Sequence, residues 1–342
     1  MGDGDGGSST GLWLYDSTHG RILPVAAVGA LLGVAFLVAW VAGVAFLGDA
    51  GTGSLEQMPG FGAGSWAEVI VRALVLGYTV TMPAIGIRLA AQQLELVRPH
   101  LGSSEEASHA AQSVLRVPPW WRWLGSAAGV AILLIFGDMA IAFSGESPAL
   151  TPLWFALFGA LLGRALAAHL HIGRAFSQLG RHFVPIDLLD RRPFAPLVSW
   201  GLRIFLAWVV WFGLTSLFFV DPGPRDPNWS NLLGIVPLAL IGVGALLVPV
   251  WGIHARLREA KEGELARLDE AVRRERDSLW RDGASSSPEL ANLAGYRMLV
   301  ADQSDWPLDV STWLRFGFYL ALGAGSWIGA ALVEQIRGRA LG

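Results

Sequence analysis

The chain has 342 residues, 53% of them apolar and only 15% charged, with no cysteine and a formal net charge of −3. Several apolar runs exceed the roughly 20 residues that cross about 30 Å of hydrocarbon, which excludes an ordinary water-soluble domain and predicts an all-α, polytopic membrane protein. Without cysteine there are no disulfides and no thiolate metal sites, and no cofactor or nucleic-acid partner is expected.

Residues 1–21, rich in Gly, Ser and Asp, read as a disordered cytoplasmic tail. A secretory signal is not expected, because Asp3, Asp5 and Asp16 precede an apolar run too long for one. Seven spans follow, at 22–47, 66–90, 123–143, 152–172, 197–220, 231–251 and 310–334. Segments 91–122, 173–196 and 252–309 are rich in Arg. Segments 48–65, 144–151 and 221–230 carry a single base, Arg225. Basic segments stay in the cytoplasm, so the expected topology in the cell membrane has the N-terminus inside and the C-terminus outside.

Span four is predicted to continue past the membrane with helical spacing over 161–183, ended at Pro185, so that 161–190 makes a cytoplasmic extension of the six-helix bundle 22–251. The sixth span runs straight into the charged stretch His254–Asp282. There Asp269–Arg273, Glu270–Arg274 and Asp277–Arg281 are set at i,i+4, acid first. After Ser285-Ser286-Ser287-Pro288 a shorter helix (289–304) completes a cytoplasmic hairpin, 252–309. The break Asp305-Trp306-Pro307 then leads to the terminal span within 310–342.

Charges inside spans are costly and mark functional candidates. Glu68 and Arg72 lie one helical turn apart in span two, and Asp138 lies at nearly the same depth in span three. They are expected to cluster in the outer half of the membrane, either as an ion pair locking two spans or as a ligand or ion site. Tyr78, Thr79, Trp211 and Thr215 lie at neighbouring depths and would complete a polar-aromatic pocket. The seven histidines are expected away from mid-membrane, which disfavours bis-histidine haem. Lys261 is the only lysine and sits in the charged stretch, which excludes a retinal Schiff base in a span. There is no HExxH, Walker loop or GxSxG. Phe136-Gly137-Asp138 matches half of an intramembrane aspartyl protease signature, but the second aspartate is missing. An enzyme is not expected.

The terminal span carries Arg315 one turn in, Gly325 and Gly329 at small-xxx-small spacing, and Ser326 and Ala330 on another small face. It ends in Val333, Glu334 and Gln335. As a pore lining on an oligomer axis, Val333 would be an apolar ring, capped by an acidic ring of the kind that selects cations.

Two segments, Pro249-Val250-Trp251-Gly252-Ile253-His254-Ala255-Arg256-Leu257-Arg258-Glu259-Ala260-Lys261 and Ser304-Asp305-Trp306-Pro307-Leu308-Asp309-Val310-Ser311-Thr312-Trp313-Leu314-Arg315, are similar to a recurring pattern in prokaryotic multi-span proteins. The overall plan resembles, in topology rather than sequence, the seven-span insect odorant and gustatory receptor superfamily. That resemblance implies a tetrameric, ligand-gated cation channel with a cytoplasmic anchor and a split final helix. Its first half (289–304) would lie in the anchor and its second (310–334) in the pore. The expected partners are further copies of the chain, the lipid bilayer and a small-molecule ligand. A solute carrier, or a non-conducting sensor or scaffold working through the cytoplasmic helices, is the alternative.

Overall fold

The structure is a computed structural model that describes residues 27–35, 38, 63–101, 104–144, 150–184, 186–190, 192–216, 229–282, 287–308, 311–319 and 321. These residues form helices α1 (27–35), α2 (Ala63–Val97), α3 (Glu105–Leu115), α4 (Pro119–Ser144), α5 (Leu150–His182), α6 (Ala195–Ser216), α7 (Trp229–Asp282), α8 (Pro288–Asp302) and α9 (311–319). Among the described residues there is no strand, so the fold is all-α as expected.

Three segments are long and apolar enough to cross a membrane: Ile70–His100, Phe155–His182 and Arg192–Thr215. They correspond to expected spans two, four and five. Ile70, Leu74, Leu157 and Val210 are exposed on them, an outward surface that suits hydrocarbon rather than water. Helix also occupies the described parts of the other four expected spans.

Helix α5 is the hub, packing on α2, α3, α4, α6 and α7. Its contact with α4 is made by glycines. Gly125 faces Gly163 and Gly129 faces Gly159, so closely that a Cβ on any of the four would run into the partner's backbone. The i,i+4 spacing puts each glycine pair on one helix face, and the missing side chains let the two backbones touch. The same device joins α1 to α2. Gly29 and Gly33 are the buried residues of α1, and a Cβ on Gly33 would lie 2.8 Å from the Ala73 carbonyl oxygen.

Helix α3 differs from the sequence expectation, which treats 91–122 as a basic connection. Ser104 caps it by accepting a hydrogen bond from the Ala107 amide (3.1 Å), and Glu105 and Glu106 occupy its first turn. Both features stabilise a helix N-terminus. Ala107, Ala111 and Val114 form its buried face.

The helical stretches expected at 161–183, 254–282 and 289–304 fall largely within observed helices. Helix α5 ends at His182, just before Pro185, and α7 runs unbroken for 54 residues from the apolar segment into the charged one. Ser287 caps α8, accepting from the Glu289 and Leu290 amides and donating to Glu275 Oε1 (2.8 Å). Of the three expected i,i+4 ion pairs on α7, Glu270–Arg274 forms (3.7 Å). Asp269 turns instead to Arg297 of α8. Asp277 pairs with Arg276 at 3.0 Å, while the Arg281 side chain donates to the Asp277 carbonyl. Packing α8 along the stripe that includes Leu268 brings a cross-helix arginine nearer to Asp269 than the same-helix one.

Candidate functional site

Arg72 is buried in α2, with Glu68 one turn before it on the same helix. Asp138 lies on α4, whose packing is against α5. The side chains of Glu68 and Asp138 lie outside the described residues, as do Ser326, Ala330, Val333, Glu334 and Gln335.

The aromatic level below Arg72 is a packed core. The Trp211 indole donates to Thr79 Oγ1 (2.9 Å), which in turn donates to the Val75 carbonyl (2.7 Å). Tyr78 donates to the Ala207 carbonyl (3.0 Å). Sequence depth alone groups Tyr78, Thr79, Trp211 and Thr215. The structure joins Thr79 to Trp211 directly, and Thr215 lies one turn on, bonded to the Trp211 carbonyl (3.1 Å). Thr79 and Trp211 are each 1% exposed, so this level is filled rather than open.

Of the histidines, His169 is buried. It lies inside the bundle, 2% exposed, within an apolar segment, and its Nε2 meets the Met82 carbonyl of α2 (3.1 Å). Gly86 makes room for it, since a Cβ there would sit 2.5 Å from the imidazole. The Trp200 indole donates to the Gly86 carbonyl (3.1 Å). Pro83 lies between these two carbonyls, in a helix turn where it removes one backbone donor. Side chains from α5 and α6 therefore bond to the α2 backbone on either side of Pro83.

The most elaborate polar site lies where the two motif segments meet. The turn after α8 is bound by one stripe of α7: Trp251, His254 and Lys261. Lys261 donates to the Gln303 carbonyl (2.6 Å) and lies 3.2 Å from Asp305 Oδ1. His254 Nδ1 donates to the Asp305 carbonyl (2.9 Å), and its ring stacks on Trp306 at 4.1 Å and 14°. Trp251 meets the same indole edge-on at 6.3 Å. Leu308 completes the clasp, buried with Val198 and Val250. Residues about 50 positions apart thus fix where the terminal helix begins. The spacing of Trp251, His254 and Lys261 on one helical face is the signal available in the sequence, but their partner is not visible in it.

From that clasp α9 lies back on its own bundle. Phe316 packs on Phe205 (4.7 Å), with Tyr319 beside Leu202, Val209, Val243 and Leu246. Trp313, Leu314, Arg315 and Phe318 are exposed. A cleft of about 820 Å³ opens between residues 186–188 and α7, lined by Arg256, Glu259, Glu264, Arg267 and Tyr296 among others. Beyond it, the Arg297 guanidinium holds the Asp269 carboxyl below its usual value, chiefly through their hydrogen bond, and Arg297 is raised in return. Glu262 likewise raises Arg258, 2.8 Å away.

Among the described residues no group of three or more His, Asp or Glu could hold a metal ion. Comparison of the chain with known protein families, with curated proteins and with solved structures finds no match.

Proposed function

We propose that this protein is a seven-span, homotetrameric cation channel of the cell membrane, gated by a small ligand. Its terminal helix would line the pore, with its N-terminus inside and its C-terminus outside. The observation that carries this reading is the attitude of α9. One face is tied to α6 and α7 through Phe316 and Tyr319, while Arg315 faces away from the chain's own bundle. A guanidinium on the outer face of an apolar helix is costly against lipid and favourable against water or a carboxylate. An inner vestibule shared by several copies supplies that environment. The polar cleft beside Tyr296 offers room for a ligand on the same side as the clasp.

Purified protein in planar bilayers tests the proposal. Wild type is expected to pass cations, Glu334→Gln to lose cation preference, and Val333→Ser to leak at rest because a polar ring stays wet. A two-dimensional class average in detergent is expected to show four-fold symmetry, whereas a monomer would favour a solute carrier. A sensor or scaffold is the second reading, and the exposed Trp280 and Met298 on the cytoplasmic hairpin favour it. Absence of current from wild type and Val333→Ser alike would put it in front.

A further inference from the structure

The interior of the bundle holds two adjacent rings that each present a nitrogen with no hydrogen-bond partner among the described residues. His169 and Trp208 meet edge to face with centroids 6.0 Å apart, and both are buried, at 2% and 0% exposure. The two nitrogens are His169 Nδ1 and Trp208 Nε1. Their chemistry is complementary. His169 Nε2 faces a carbonyl, which only accepts, so Nε2 carries the proton and Nδ1 of the neutral ring offers a lone pair. The Trp208 nitrogen can only donate. Around them the packing is aromatic and apolar, with Trp211 at 5.7 Å from Trp208 and Phe158 stacked on Trp211 at 5.9 Å. Buried polar atoms are rarely left unpaired, and the usual remedy in a tight interior is an ordered water.

We propose that His169 and Trp208 form a binding position for one water-sized dipolar molecule, water itself, which accepts from the indole N–H and donates to imidazole Nδ1. The neighbouring contacts explain why the position is precise. Met82 fixes the tautomer, Gly86 lets the ring approach α2, and the edge-to-face stack fixes the angle between donor and acceptor. The proposal is independent of ion conduction, and it would hold equally for a carrier or a scaffold.

Nuclear magnetic resonance on the full-length protein in lipid nanodiscs tests it, with ¹⁵N-labelled histidine and tryptophan. The expected result is magnetisation transfer from one long-lived water to both the Trp208 indole proton and the His169 ring, with the His169 proton on Nε2. In Trp208→Phe the transfer to His169 should be lost or fall several-fold, because one molecule serves both groups. A through-bond coupling between Trp208 Nε1 and His169 Nδ1 would overturn the proposal by showing a direct bond. So would the lack of water contact at both rings in the wild type, a measurement that needs no variant to fold.

Discussion

Lys261 donates to the Gln303 carbonyl and lies within ion-pair distance of Asp305 Oδ1, with its own side chain only 18% exposed. Hydrogen bonds from a charged donor contribute roughly 1.5–3 kcal/mol each. Lys261→Met keeps the stem and removes the charge. It should lower stability by about 2 kcal/mol, read as a lower melting temperature in detergent, and should speed amide exchange at 303–308. Unchanged exchange there would mean that the aromatic stack of His254 and Trp306 holds the turn by itself. Asp269 makes a separate, pH-dependent prediction. Its carboxyl is lowered in the fold by Arg297, so the pair stabilises the hairpin fully above the ordinary carboxylate value. That contribution fades as pH falls through the lowered one. Melts between neutral pH and about pH 3 should show an acid limb that flattens in Asp269→Asn. The existence of charges at these positions is plain in the sequence, but their partners are not. Asp269 has Arg273 at the favoured helical spacing and pairs with Arg297, because tertiary packing outweighs a local pair of only a few tenths of a kcal/mol.

At the scale of helices, the glycine contact between α4 and α5 carries the sharpest stability prediction. A Cβ on Gly163 would meet the Gly125 carbonyl and approach Gly129 Cα to 3.0 Å, so the neighbour that must yield is backbone. Gly163→Val should therefore cost about 3 kcal/mol, the upper end for overpacking, and loosen the α4–α5 pair in a detergent melt. Gly213 is the matched control. A Cβ there would meet nothing within 4 Å among the described residues, so Gly213→Ala should be near neutral. The helices are largely legible from apolar run length, and the charged ends of α5 and α7 are legible from charge and proline. Small-xxx-small spacing draws notice in the sequence at Gly325 and Gly329, yet the same spacing at 125/129 and 159/163 makes the closest helix contact described. Such spacing is common in apolar helices, and only the facing helix says which copy is used. Helix α3 escapes a reading by periodicity because a short amphipathic helix between two long apolar ones leaves little signal beyond its cap.

For the whole molecule, orientation rests on the distribution of arginine. A reporter inserted near Ser286 should read cytoplasmic, and one fused after Gly342 external. A cytoplasmic reading at both would place the ends of the final span on one side and remove the pore assignment of Val333 and Glu334. The packing plan is less legible than the helices themselves. Nothing in composition distinguishes α5 from the other apolar helices, yet α5 is the element that the rest surrounds. Arg72 stands out in the sequence as a charge within an apolar run, and the structure adds that it is buried.

Helix α7 is also a beam. Its 54 residues span about 80 Å at 1.5 Å per residue, and the clasp grips it about 30 residues before its end at Asp282. A tilt of about 5° at Trp251 would sweep the far tip sideways by roughly 4 Å, from the same rise per residue. The leverage also works in reverse. A gentle push on the tip is delivered near Trp251 and His254 as a smaller, more forceful displacement, at the point where α9 starts. A molecule that grasps the tip therefore acts with mechanical advantage on α9, and a shortened α7 would feel the same push less.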